Sequence, residues 1–277
     1  MKTYKTIASA VKVFPTANRP ILISCNDEEL RLWVVKSCRG KLPAYGLAKE
    51  LIAYRFAELW NIPQPKAALI SVSPKHLEKL GVNKEHYGLL CFGSQYLVNR
   101  QDWDKFMEMA SPAFNRKFNA QRELLTISLF DIWLGNEDRF AQNHNLLLEL
   151  NAEEYKLLPI DHETVLNATD SNNNRIFFDS EMMISDQGHN LLESASVINV
   201  LKKCKTIQEM KSEVVKDFSK FVEACKVRLP EVIHEIPDEW SIDKDALNTY
   251  LSEQLFKESW LELVLEQFNK LLAQAKI

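Results

Sequence analysis

The segment NAQRELLTISLFDIWLG, residues 119–135, limits the possible folds more than any other part of the sequence. As a helix it would carry apolar side chains on most of its faces, so it must lie inside a protein among other elements. Gly135 stands where a glycine commonly follows the last helical turn. We therefore predict a helix at the centre of a helical lobe.

Helical patterns also dominate the rest of the chain beyond this segment. Three more helices are predicted, over Leu192 to Lys202, Thr206 to Arg228 and Asp243 to Ala275. Two short apolar runs, residues 145–150 and 155–160, lie between the central helix and these three, and they indicate a pair of strands.

The first hundred residues have a different pattern, because apolar runs of strand length recur there. Four such runs predict strands: Ile21 to Cys25, Leu30 to Cys38, Ala67 to Val72 and residues 87–98. In the last of these, YGLLCFGSQYLV, we expect a break at Gly93 and Ser94 that leads into a connector over residues 93–100.

One helix is predicted among these strands, in GLAKELIAYRFAELW at residues 46–60, and the two prolines at 63 and 65 prevent its continuation. The fold class that follows is α+β with two lobes. We expect a small α+β lobe in residues 1–97 and a larger, mostly α-helical lobe in residues 98–277.

Composition excludes several classes of protein. The net charge of −4 gives no global basic surface for nucleic acid or an anionic membrane. Five scattered cysteines without a Cys-x-x-Cys pair indicate reduced thiols rather than a disulfide framework or a zinc site. No apolar run approaches the roughly 18–20 residues that span a bilayer, and Lys12 interrupts the only apolar region near the start. We expect a cytoplasmic protein.

A polar loop, GNEDRFAQN, follows the central helix and contains Asp138 and Asn143. Loops that leave a rigid element often carry functional residues. The two predicted strands come next, and a tight turn between them would return Asp161 to the neighbourhood of Asn143. We therefore expect the three side chains to converge.

Two carboxylates and one amide in this order are suited to phosphoryl transfer. One carboxylate would orient and deprotonate the attacking hydroxyl, while the amide and the second carboxylate would hold magnesium on the nucleotide phosphates. Protein kinases have the same order, Asp-x-x-x-x-Asn followed by a later metal-binding Asp. The alternative is an ordinary polar turn between a helix and a strand.

A kinase also needs a strand lysine and a helix glutamate. Lys36 ends the apolar run Leu32 to Val35, where an unpaired ammonium would be costly if buried. Glu50 lies on the following helix and is its expected partner. Taken alone, Lys36 is more simply a strand-edge lysine that reaches water; with Glu50 and the downstream triad, the functional interpretation is favoured.

The other polar residues of the loop are assigned no direct chemical role. His144 is expected at the surface, and Asn145 is left outside the site with it. Asn136 is expected to cap the loop, while Arg139 either neutralises the acidic cluster or is solvated. The sequence lacks His-Glu-x-x-His and Gly-x-Ser-x-Gly, so a zinc protease and that type of serine hydrolase are unsupported.

The segments VVKSCRGKLPAYGLAKELIAYRFAELWNIPQP, LFDIWLGNEDRFAQNHNLLL and YKLLPIDHE together resemble the HipA-like kinases, particularly the shorter, stand-alone members. The resemblance covers about residues 20–166, and the remaining C-terminal part is similar only as helical segments. The motif Asp-Arg-x-x-x-Asn is also similar to that of phosphoinositide-kinase-like enzymes. The resemblance implies a two-lobed protein-kinase-like fold.

The resemblance also implies roles for five residues. Asp138 matches the catalytic base, Asn143 and Asp161 match the magnesium-binding residues, Lys36 matches the ATP-binding lysine, and Glu50 matches its helix partner. The implied activity is ATP- and Mg²⁺-dependent phosphorylation of Ser or Thr in a protein acceptor. An antitoxin-like regulatory partner is implied by relatives that act as toxins.

Two departures from the family pattern lead to other hypotheses. Phe140 stands where the family often has His, and no glycine-rich loop precedes Lys36. We expect the acidic turn NDEE, residues 26–29, to stand in that place and to repel phosphate unless its carboxylates point away. Residues 37–41 would then hold the phosphate instead, or no loop would hold it. The alternatives are a kinase-fold module that binds a nucleotide or partner with little catalysis, and a kinase for a small molecule or lipid headgroup.

Overall fold

The computed structural model describes residues 1–16, 18–38, 43–109, 120–136, 138–150, 155–166 and 190–277. Within these ranges the chain is a mixture of helices and strands, which confirms the predicted α+β class. None of the described helices is long and apolar enough to cross a bilayer.

A six-stranded sheet forms the first part of the chain. Its strands, in the described residues, are β1 (Thr3–Lys5), β2 (Lys12–Val13), β3 (Ile21–Ser24), β4 (Leu32–Lys36), β5 (Ala67–Ser71) and β6 (Cys91–Gln95). Their order across the sheet is β1-β5-β6-β4-β3-β2. Neighbouring strands are antiparallel except β1 and β5, which are parallel. The strands predicted in this region are thus confirmed.

The alternation of side chains along β4 determines where its lysine points. Trp33 and Val35 are buried in the core on one face of the sheet, with Ile21 and Ile23 of β3. Because successive side chains of a strand point to opposite faces, Val34 and Lys36 share the other face. That face meets the second half of the chain.

Helix α1 (Pro43–Leu59) packs on this other side of the sheet. Its side chains Leu51 and Phe56 are fully buried in the larger of two hydrophobic clusters. The helix ends before Pro63, as predicted, and Asn61 adopts a left-handed conformation (φ 54°) in the turn that follows.

The predicted break at Gly93 is wrong, because β6 continues through Gln95. Gly93 pairs with Val35 of β4 and with Ala68 of β5, so it lies in the interior of the sheet. A Cβ atom placed on Gly93 would lie 2.5 Å from Cγ1 of Ile70. The glycine therefore serves close packing between neighbouring strands rather than a turn.

A smaller antiparallel sheet follows, in which β8 (Leu146–Leu150) lies between β7 (Arg100–Asp102) and β9 (Tyr155–Pro159). The strand pair after the central helix is thus confirmed, although the turn predicted over residues 151–154 lies outside the described residues. The connector predicted over residues 93–100 is shorter in the structure and consists of the residues between Gln95 and Arg100. The predicted lobe boundary, between residues 97 and 98, lies in this connector and stays a prediction.

Six helices occupy most of the described remainder: α2 (Trp103–Met109), α3 (Gln121–Leu134), α4 (Ala195–Lys202), α5 (Ile207–His234), α6 (Lys244–Gln254) and α7 (Glu258–Gln274). Helix α3 is the predicted central helix, and it packs against α4, α5 and α7. Gly135 ends it in the left-handed conformation (φ 63°), as expected.

Two helix boundaries differ from prediction. Helix α5 runs past Arg228, through Pro230, to His234. The single helix expected over residues 243–275 is interrupted between α6 and α7. At the interruption the carbonyl of Leu255 accepts a hydrogen bond of 3.2 Å from the buried Trp133 indole, which replaces a bond within a continuous helix.

The packing of Gly93 gives a testable prediction. Gly93→Ala should lower the free energy of unfolding by about 1–3 kcal/mol, because the added methyl group overpacks a filled core. Urea denaturation measures the change. Gly46→Ala is the matched control: nothing lies within 4 Å of its added Cβ, inside helix α1, so it should raise stability by roughly 1 kcal/mol. Equal stability of the Gly93→Ala variant and the wild type would contradict this account.

Candidate active site

Lys36, the last residue of β4, is surrounded by carboxylates. Its Nζ atom lies 2.6 Å from Oδ1 of Asp161 and 3.5 Å from Oε2 of Glu163, and it donates a short hydrogen bond to Glu50. Glu50 is buried on α1, while Asp161 and Glu163 follow β9. The cluster thus joins the sheet, the helix beside it and the second half of the chain.

The charges in this cluster are unequal, since three carboxylates face one ammonium. Burial alone would lower the pKa of Lys36, but the charges of Glu50, Asp161 and Glu163 outweigh it and raise that pKa. Burial raises the pKa of Glu50 and of Glu163, against the opposing effect of Lys36. The excess negative charge makes the cluster suited to a further cation.

Oxygen atoms of the three carboxylates lie within 4.8 Å of one another. Hard divalent cations such as Mg²⁺ prefer oxygen ligands, and Mg²⁺ usually takes one or two carboxylates together with phosphate oxygens. The donor set therefore fits magnesium by its chemistry, with Asp161 the least buried of the three carboxylates.

The loop after α3 fixes the carboxylate of Asp138. Asn143 donates to its Oδ1 atom at 2.8 Å, and Asn145 donates to its Oδ2 atom at 3.1 Å. The backbone N–H of Asp138 donates to Oδ1 of Asn136 at 3.2 Å. Hydrogen bonds therefore fix both carboxylate oxygens and the backbone N–H of Asp138, so its side chain has a defined orientation. Asn136 caps the loop through its amide, as expected.

Arg139 is fully buried and connects this loop to the segment after β9. It forms a short ion pair with Asp131 of α3 and donates to the carbonyl of Ile160 at 2.9 Å. It thus neutralises Asp131, rather than the acidic cluster around Lys36. Nη2 of Arg139 also lies 3.2 Å from Nε2 of His162. Burial, Arg139 and Lys36 all lower the pKa of His162, so its neutral ring accepts this bond.

The two groups of site residues meet through Asn145 and the residues after β9. The carbonyl of Asn145 accepts a bond of 2.9 Å from the N–H of Ile160, which directly precedes Asp161. Asn145 and Asp161 both adopt left-handed conformations, with φ of 45° and 62°, which Asn and Asp tolerate better than most residues. Asn145, which the sequence interpretation left out, thus connects the loop of Asp138 and Asn143 to the segment that carries Asp161.

A cleft of about 490 Å³ lies between the two sheets at this point. Its lining includes the apolar side chains of Val34, Phe92 and Leu147 and the polar side chains of Lys36, Glu50, Asn145 and Asp161. Phe92 pairs with Lys36 across β4 and β6, so apolar and charged groups lie side by side. Such a lining suits a ligand that has both a flat, uncharged ring and a charged phosphate chain.

The segment that covers this cleft is not the one predicted. The acidic turn at residues 26–29 joins β3 to β4 and lines a separate depression with Lys2 and Lys66, so its carboxylates point away from Lys36. Instead, Phe14, Thr16 and Pro20, in the described part of the β2–β3 connection, line the cleft. Of the predicted phosphate-gripping residues 37–41, those from 39 onward lie outside the described residues.

His144 is buried, which corrects its expected surface position. Its Nε2 atom lies 2.7 Å from Oγ of Ser194, and its Nδ1 atom lies 2.7 Å from the carboxylate of Asp104. These contacts attach the loop to α2 and to the segment before α4. His144 therefore supports the position of its neighbours Asn143 and Asn145.

The sequence interpretation missed Glu163 and Asn145. Each stands two residues from a predicted site residue, Asp161 and Asn143 respectively. Asn145 and Asp161 adopt left-handed conformations, so the alternation of an extended strand does not apply to these pairs, and closeness in the sequence was the signal for the two missed residues. The predicted five residues do come together in two contact groups, and their chemical roles stay predictions.

These features define a class. A strand lysine paired with a helix glutamate, a cleft between two lobes and an Asp-x-x-x-x-Asn loop followed by Asp are the arrangement of protein-kinase-like folds. The HipA-like kinase family model matches residues 15–270, and the chain belongs to this family. The match includes the C-terminal helices, so it extends well beyond the region of resemblance found in the sequence.

Three solved structures are similar to this chain, and the first of them has the same overall fold. The Helicobacter pylori proinflammatory kinase CtkA is 16% identical with a TM-score of 0.54, over 96% of this chain and 97% of that one. HipA of Shewanella oneidensis, in a complex with HipB and operator DNA, is 11% identical with a TM-score of 0.46, over 95% and 65% of the two chains. WaaP, in complex with acyl carrier protein, is 12% identical with a TM-score of 0.41, over 82% and 89%. No curated protein matches the chain significantly.

The buried Arg139–Asp131 pair gives a testable prediction. Arg139→Met should lower the free energy of unfolding by about 3–5 kcal/mol, because it leaves a buried carboxylate without its cation. Urea denaturation measures the loss. Arg122→Met is the control, since Arg122 pairs with Glu213 and Asp217 at the surface and should cost less than about 1 kcal/mol. A similar loss in both variants would contradict a structural role for Arg139.

Proposed function

We propose that the chain is an ATP- and Mg²⁺-dependent kinase that phosphorylates Ser or Thr of a protein acceptor. The observation that carries this proposal is the contact of Lys36 with Glu50 and Asp161 in the cleft, beside a loop in which Asp138 is held by Asn143. Membership in the HipA-like kinase family supports the kinase class.

The cleft supports a nucleotide as the phosphoryl donor. Val34 and Leu147 come from the two sheets and would enclose the base, while Lys36 would pair with the phosphates. Glu50 keeps Lys36 in this position through its short hydrogen bond. This contact supports the assignment of Lys36 and Glu50 to donor binding.

Asp161 and Asn143 are the proposed magnesium ligands. Asn143 directs its amide nitrogen to Asp138, which leaves its carbonyl oxygen as the atom that can face a cation. When bound, Mg²⁺ supplies positive charge that stabilises the transferring phosphoryl group. Asp161 would hold this charge next to Lys36.

Asp138 is the proposed catalytic base. It would accept a hydrogen bond from the acceptor hydroxyl, orient its oxygen toward the γ-phosphorus and take its proton as the new O–P bond forms and the bond to ADP breaks. The amides of Asn143 and Asn145 fix the direction of this carboxylate.

The acceptor and an antitoxin-like regulatory protein are proposed from family membership alone. The net charge of −4 gives no support for direct binding of nucleic acid. The acidic turn at residues 26–29 was the main argument for a module without catalysis, and its position outside the cleft removes that argument.

Asp138 gives the test of this proposal. Asp138→Ala should slow conversion of ATP to ADP, with casein as a generic acceptor, by about a hundredfold to ten-thousandfold. ATP affinity, measured by calorimetry, should stay near that of the wild type, because Asp138 contacts the acceptor rather than the donor. Asp245→Ala, at an exposed position on α6, is the control and should keep full activity. Equal turnover in the Asp138→Ala variant would remove the catalytic role of this residue.

A further inference from the structure

Glu163 lies two residues after Asp161 and contacts two groups from the N-terminal sheet. Its Oε2 atom lies 3.5 Å from Nζ of Lys36. Its Oε1 atom accepts a short hydrogen bond from the side-chain amide of Asn18, in the β2–β3 connection. The carboxylate of Glu163 thus lies between Lys36 and the β2–β3 connection.

These two partners are the groups that a nucleotide phosphate would need. Lys36 lines the cleft, and Phe14 and Thr16 of the β2–β3 connection line it as well. A carboxylate and a phosphate both accept hydrogen bonds through negatively charged oxygens. The carboxylate of Glu163 therefore occupies a position between a cation and an amide donor that suits a phosphate group.

The net charge around Lys36 determines whether a phosphate can bind there with or without a divalent cation. Glu50, Asp161 and Glu163 contribute three negative charges against the one positive charge of Lys36. A phosphate without a cation would add negative charge beside this excess. A divalent cation bound to the phosphate would offset part of that negative charge, so the metal-bound form would be repelled less by Glu163.

We propose that Glu163 is a specificity-determining residue, which excludes metal-free nucleotide from the cleft and gives way only to nucleotide bound to a divalent cation. This inference rests on the proposed nucleotide site. In this proposal Glu163 distinguishes metal-free from metal-bound nucleotide, whereas Asp161 holds the cation.

The test is calorimetric titration of ATP in EDTA and in Mg²⁺ with wild type and Glu163→Gln. The substitution keeps the size of the side chain and removes its charge. Affinity for ATP in EDTA should rise about fivefold or more, which corresponds to ~1 kcal/mol. Affinity in Mg²⁺ should change less, so the preference for the metal-bound form should shrink.

Glu28→Gln is the matched control, because it removes the same charge from the acidic turn outside the cleft, where Glu28 is paired with Lys2. Its affinities in both buffers should equal those of the wild type. Asn18→Ala is a second variant, which removes the contact with the covering segment but leaves the charge of Glu163. It should keep the preference of the wild type for metal-bound ATP.

Each contrary result has a distinct meaning. If Glu163→Gln weakens binding in Mg²⁺ and leaves binding in EDTA unchanged, Glu163 is a ligand of the cation, and the proposal is wrong. If Asn18→Ala reduces the preference as much as Glu163→Gln, the contact with the covering segment decides it instead of the charge. Absence of ATP binding by the wild type in both buffers would overturn the nucleotide site itself.

Discussion

The ammonium group of Lys36 is the interaction on which the two halves of the molecule depend. It ends a strand of the N-terminal sheet, yet its partners lie on α1 and after β9. A largely buried ammonium without carboxylates would be costly, and so would three carboxylates without the ammonium. The charged groups on each side of the cleft therefore need those on the other side. Helix α1 and the segment after the small sheet both contact the ammonium group of Lys36.

A second buried cation, Arg139, organises the loop beside this cluster. Its bonds to Asp131 on α3 and to the carbonyl of Ile160 place the loop and the end of β9 side by side. The central helix is buried on nearly every face. Arg139 attaches the loop to this helix, and the buried His144 attaches it to α2 and to the segment before α4. The place of Asp138 in the fold thus follows from core packing.

Local patterns predicted much of this arrangement. The all-round apolar character of α3, the glycine at 135 and the paired runs that became β8 and β9 were sufficient to predict the loop that carries Asp138 and the strand pair that leads to Asp161. Gly93 was misinterpreted, because a glycine at a turn and a glycine under a neighbouring isoleucine look alike in one sequence. The covering segment was also misassigned, since the order of strands in a sheet is a tertiary property. Asn18 and Glu163, which are 145 positions apart, meet only in the folded chain.

The central claim is that Asp161 holds a divalent cation on which nucleotide binding depends. It is tested most directly by calorimetric titration of ATP, with and without Mg²⁺, into the wild type and Asp161→Ala. The account predicts that the wild type binds ATP far more tightly with Mg²⁺ and that the variant loses this dependence. Equal affinity of the two proteins in Mg²⁺ would place the cation elsewhere and contradict the account.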